Sequence, residues 1–138
     1  MKVAWVGHSQ VPKQCRQIYG QNLILGRVSG AILEDAYYPP ISDIIESSPD
    51  ITFVWLGGND LDNGAEPKYV AEELIKLANH ISQYSNVIYL CNLESRNYSN
   101  HIRATNYQRK ARATNRLLAK KKTEILVIVT STSRTINS

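Results

Sequence analysis

The chain alternates short apolar runs with longer amphipathic stretches. Five runs predict strands: Lys2–Val6, Asn22–Leu25, Ile51–Leu56 (ITFVWL), Asn86–Leu90 (NVIYL) and Ile125–Val129 (ILVIV). Each is continuous rather than alternating, as expected of strands buried on both faces of a parallel sheet. Between the runs the period becomes helical. Val70, Leu74, Leu77 and Ile81 make one apolar stripe on a helix expected over 67–85, with Pro67 in its first turn, where a missing N–H costs nothing. Ala104, Tyr107, Ala111, Thr114 and Leu118 make a second stripe. Shorter helices are expected over 12–19 and over 41–47, the latter after Pro39-Pro40.

Strands and helices in this alternation predict βαβ units with right-handed crossovers. The expected fold is a three-layer α/β/α sandwich with a parallel sheet of about five strands in the flavodoxin-like order 2-1-3-4-5. At 138 residues one domain is the default. It is expected over 1–130, with 131–138 a polar, frayed tail.

Composition narrows the function classes. Hydrophobic residues make up 43% and charged residues 20%, ordinary for a globular domain. No apolar run approaches the ~18 residues of a membrane span, and the first residues do not read as a signal peptide, so a cytoplasmic chain without a membrane partner is expected. Cys15 and Cys91 are then expected to be reduced thiols. Neither their number nor their spacing suits a metal site, and no cofactor is expected. The net charge of +4 is unevenly placed, because residues 103–122 hold eight of the sixteen basic residues and no acid. That stretch is either the solvated face of an amphipathic helix or a surface for nucleic acid or an acidic partner. In the second case Arg109, Lys110, Arg112 and Arg116 are its candidate contacts.

Ligands of open α/β sheets bind beyond the carboxyl ends of the strands. Those positions hold Gly7-His8-Ser9 after the first strand, Gly26 to Gly30 after the second, and Gly57-Gly58-Asn59-Asp60 after the third. A serine at such a turn can present its hydroxyl above the sheet, or simply cap a helix. A glycine lets a backbone N–H approach closely, and an asparagine carboxamide adds two donors. Gly-Asn-Asp also makes an ordinary turn. Together these groups are the parts of a nucleophile with an oxyanion hole.

At these residues the chain resembles the SGNH (GDSL-type) hydrolases. Gly7-His8-Ser9 resembles that family's first block, with histidine where aspartate is commonest. "GRVSGAILED" resembles the second block through Gly30, and "WLGGNDL" (55–61) resembles the third through Asn59. "VGHS" with "WLGGNDL" is similar in particular to SGNH-like domains of animal retroelement-derived proteins. The resemblance runs from residue 1 to about 118. It implies a serine esterase acting on small acyl or acetyl esters, with Ser9 as nucleophile, Gly30 and Asn59 in the oxyanion hole, and His8, Gly58 and Asp60 in support.

The family's final Asp-x-x-His block has no counterpart here, which implies an impaired or inactive hydrolase unless another base serves. Three histidines are present. His8 adjoins Ser9 and props the turn, His80 falls off its helix's apolar stripe, and His101 follows the fourth strand in a loop that could fold over the site. His101 is the candidate substitute base. The alternative is a non-catalytic binding or assembly module on the same fold, with the basic helix as its contact surface. An edge strand could also pair with a second copy to make a homodimer.

Overall fold

The computed structural model describes residues 2–7, 23–27, 34, 46–93, 101–121 and 128–131. The helix expected over 12–19, most of that over 41–47, and Cys15 lie outside them. The strands are β1 (Val3–Gly7), β2 (Leu23–Arg27), β3 (Ile51–Trp55), β4 (Val87–Cys91) and β5 (Ile128–Ser131). The described helices are α1 (Gly58–Asp62), α2 (Pro67–Ile81) and α3 (Ala104–Lys121). The strands form one sheet in the order β2-β1-β3-β4-β5, with every pairing parallel. Among the described residues, strand number, direction and order are as expected.

The limits differ from the apolar runs. Gly7, Arg27 and Cys91 join the ladder although the runs stop before them. Ser131, expected as the first residue of the polar tail, pairs with Cys91 in β5 beside the Thr130–Leu90 pair. Backbone pairing with a neighbour sets a strand's end, and polar residues pair as well as apolar ones. α2 stops at Ile81 rather than at 85, because Ser82–Tyr84 form a turn closed by Tyr84 N–H to Ile81 O at 2.8 Å.

The sheet has two unlike faces. Ala4, Val6, Val54, Leu56, Ile88 and Leu90 pack against α2 and α3. From α2 they meet Val70, Leu74, Leu77 and Ile81, each 1% exposed or less. At about 1.5–3 kcal/mol per buried side chain, this stripe holds α2 in place far more strongly than helix propensity could. From α3 they meet Tyr107, Ala111 and Leu118. On the other face Trp5, Phe53 and Tyr89 are register partners on adjacent strands. Their rings lie 5.4 Å and 5.0 Å apart, and Trp55 meets Trp5 edge-on at 5.9 Å. β1 is buried throughout, whereas β3 and β4 are only half-buried at Ile51, Phe53, Val87 and Tyr89. Burial on both faces therefore holds throughout β1, and in β3 and β4 only toward their carboxyl ends, at Trp55 and Cys91.

At the amino ends of the strands, Asp50 ties three of them together. Its carboxylate accepts from Lys2 N–H at 2.9 Å, and its carbonyl accepts from Val87 N–H at 3.0 Å. The opposite, carboxyl end carries the candidate chemistry.

Candidate active site

β1 and β3 run side by side with Gly7 opposite Trp55, so the first and third sequence blocks leave the sheet at neighbouring points. Gly7 is required by close packing. A Cβ there would lie 2.9 Å from Trp5 Nε1 and 3.1 Å from the Trp55 carbonyl oxygen. β3 leaves through Leu56 into Gly57, whose φ of 115° is left-handed. A Cβ on Gly57 would also meet Val70 Cγ1 at 2.8 Å. Only glycine satisfies both constraints, and the chain turns at once into α1.

α1 is the third sequence block folded. Its turns close through Leu61 N–H to Gly57 O at 3.1 Å and Asn63 N–H to Asn59 O at 2.9 Å. Leu61 is fully buried and pins the segment to the core. Asn59 is half-buried, while Asp60 and Asp62 are buried at 7% and 3% exposure. Gly58, a supporting residue in the sequence reading, is the first residue of α1, and the left-handed turn ahead of it belongs to Gly57.

The segment entering α3 lies against the same helix. The His101 backbone N–H donates to Asp62 Oδ1 at 3.0 Å, and the His101 side chain is exposed. Further along α3, Asn115 grips the chain leaving β4. Its Oδ1 accepts from Leu93 N–H at 2.8 Å and its Nδ2 donates to Leu93 O at 3.2 Å. One carboxamide thus replaces the next rung of a sheet ladder. Sequence reasoning missed both Asp62 and Asn115. Their only signal is a polar residue flanking an apolar position, which does not reveal a long-range partner.

Two further groups at this end are buried without a hydrogen-bond partner among the described residues: Trp5 Nε1, beneath Gly7, and Asn92 Oδ1, one residue past β4. His8, Ser9 and Gly30 lie outside the described residues. His80 sits near the carboxyl end of α2, away from this site, with its ring edge-on to Tyr84 at 6.0 Å. Cys91 is buried at the end of β4.

The basic residues of α3 divide. Arg109, Arg112 and Arg116 are exposed. Lys110 is not, which corrects its place in the expected contact set. It is 9% exposed, and its ammonium donates to Ala65 O at 3.2 Å and Glu66 Oε1 at 3.4 Å. Position 110 falls on the flank of α3 that meets the start of α2, so its charge closes a helix–helix joint. Among the described residues, no group of three or more His, Cys, Asp or Glu could hold a metal, and no helix is long and apolar enough to cross a membrane.

No protein-family model and no curated protein sequence matches the chain. Solved structures do. A GDSL-like lipase from Bacteroides thetaiotaomicron superposes with a TM-score of 0.71 at 17% identity, over 94% of this chain and 67% of that one. A lipolytic protein of the G-D-S-L family from Veillonella parvula gives 0.71 at 17%, over 94% and 77%. The acetyl xylan esterase AlAXEase gives 0.66 at 14%, over 94% and 77%. At such identities the likeness shows the fold: this chain has the α/β architecture of the GDSL-type hydrolases.

Proposed function

We propose that the chain is a serine esterase of the SGNH type, acting on small acyl or acetyl esters. The observation that carries this reading is the Gly57 turn. It launches Asn59 on α1 beside the end of β1, with the His101 segment tied to the same helix. The neighbours described as acetyl xylan esterase and lipase lend the substrate class.

In this reading the Ser9 hydroxyl attacks the ester carbonyl. His101 takes the hydroxyl proton and returns it to the departing alcohol. The Asn59 carboxamide and the Ser9 and Gly30 N–H groups hold the oxyanion. Water, deprotonated by the same histidine, then releases the acid and restores Ser9. No metal or organic cofactor is called for. Asp62 is the positioning residue, since it fixes the backbone from which the base projects. The test is labelling with a fluorophosphonate probe. The wild-type chain should be labelled, Ser9→Ala should not, and His101→Ala should be labelled far more slowly. An unlabelled but folded wild-type chain would overturn the esterase and favour a binding module on the same fold.

A further inference from the structure

We propose that the outward face of α3 is a docking strip for the phosphate backbone of a nucleic acid, bound without regard to base sequence. The inference does not rest on the esterase reading. Arg109, Arg112, Arg116 and Lys120 are all exposed and follow one another at steps of three, four and four residues. At 100° per residue they fall within an arc of about 80°, and at 1.5 Å per residue they form a row about 16 Å long. The row points away from the sheet, opposite the buried Tyr107, Ala111, Thr114 and Leu118. Lys110, the one basic side chain in the middle of the helix that is turned aside, is already neutralised by Glu66.

A merely soluble face does not need this pattern. Neighbouring residues in the row repel one another across three- and four-residue spacings, and α3 carries no acid to relieve them. Lys120 in the last turn complements the helix dipole, but the three arginines before it are too far from that end to do so. The exposed side of α2 supplies the contrast within the same protein. It mixes Lys68, Glu72 and Lys76, with Glu73 paired to Lys76 at 3.4 Å. Unopposed cations kept in line suit a polyanion, and a guanidinium fork suits phosphate oxygens.

The strip does not suit a lipid surface. Membrane-lying helices insert large apolar side chains beside their cations. Here the one exposed position between the cations is Ala119, and Thr105 and Asn106 are exposed in the turn before Arg109. Among the described residues the one large apolar side chain that is exposed, Tyr69, belongs to α2. The strip also holds no exposed aromatic or amide pair placed to read bases, hence the indifference to sequence.

The test is fluorescence anisotropy of a labelled mixed-sequence oligonucleotide, single-stranded and as its duplex, with KCl raised from about 50 to about 200 mM. Four phosphate contacts predict a slope of log affinity on log salt of about −2.8 for the single strand and about −3.6 for the duplex. Arg109→Glu with Arg112→Glu should weaken binding tenfold or more. Lys68→Glu with Lys76→Glu alters net charge equally and should change it little. The milder pair Arg109→Gln and Arg112→Gln should flatten the slope by about 1.5. Preference for single strand or duplex names the form of nucleic acid bound, and either supports the strip. Equal losses in the two Glu pairs, no salt-dependent binding at about 50 mM, or tighter binding to phosphatidylserine vesicles than to either oligonucleotide would overturn it.

Discussion

The backbone N–H of His101 donates to Asp62 Oδ1 at 3.0 Å, across 39 positions of sequence. This bond joins the end of α1 to the segment ahead of α3, and it sets where an imidazole can project. Asp62 is 3% exposed, so its carboxylate must be satisfied within the fold. Asp62→Ala should cost about 1.5–3 kcal/mol, the range for a hydrogen bond to a charged group. Asp62→Asn keeps an acceptor oxygen and should recover part of that. In fluorophosphonate labelling the Ala variant should fall below the Asn variant once both are compared at temperatures where each is fully folded. Equal rates in the two would show that the tether does not position the base.

Gly57→Ala should be among the most damaging single changes in the described residues. The new Cβ meets Val70 Cγ1 at 2.8 Å and sits on a residue held at φ 115°. Left-handed strain and overpacking each cost about 1–3 kcal/mol. A loss of at least about 2 kcal/mol is expected in urea denaturation. Gly64→Ala is the control: φ is also positive, at 103°, but nothing lies within 4 Å of its Cβ site, so only the conformational part should be lost. A Gly64 variant as unstable as the Gly57 variant would show that the space around Gly57 is not what matters.

The two glycines also mark how far the sequence could be read. Strand number, sheet order and the α2 stripe were legible, because Val70, Leu74, Leu77 and Ile81 are buried for the same reason that they recur. Asn59 was legible as a position, since "WLGGNDL" places it three residues past the end of an apolar run. The difference between Gly57 and Gly58 was not, because adjacent glycines look alike until a neighbour, here Val70 from another element, crowds one of them. Lys110 was misplaced for a similar cause. Charge counted along the chain does not tell which flank of α3 will meet α2. Asn115 and Asp62 act on Leu93 and His101, partners 22 and 39 residues away, which no local pattern reveals.

Asn59→Ala should separate catalysis from folding. The side chain is half-buried on α1, and Leu61, not Asn59, anchors that helix in the core. If the carboxamide holds the oxyanion, turnover of a small ester such as p-nitrophenyl acetate should fall by about 10²–10³. The melting temperature should move far less than in Gly57→Ala. Asn59→Asp has nearly the same shape but loses both donors, and should be no faster than the Ala variant. Restored activity in Asn59→Asp would exclude the donor role.

Lys110 makes a prediction about stability rather than binding. Its ammonium reaches Ala65 O and Glu66 Oε1 while its stem packs between α2 and α3, and its side chain is 11% exposed against 74% for Glu66. An ion pair with one partner in open solvent is worth about 0–1 kcal/mol, so Glu66→Gln should cost little and respond weakly to salt. Lys110→Ala removes the buried stem as well and should cost about 1–3 kcal/mol. Lys110→Met keeps most of the stem's volume and should recover about half of the loss. The comparison is made by urea denaturation at low and at high salt. If Glu66→Gln were as costly as Lys110→Ala, the charge rather than the packed stem would be holding the two helices together. Lys110 would then have to be returned to the electrostatic account of α3.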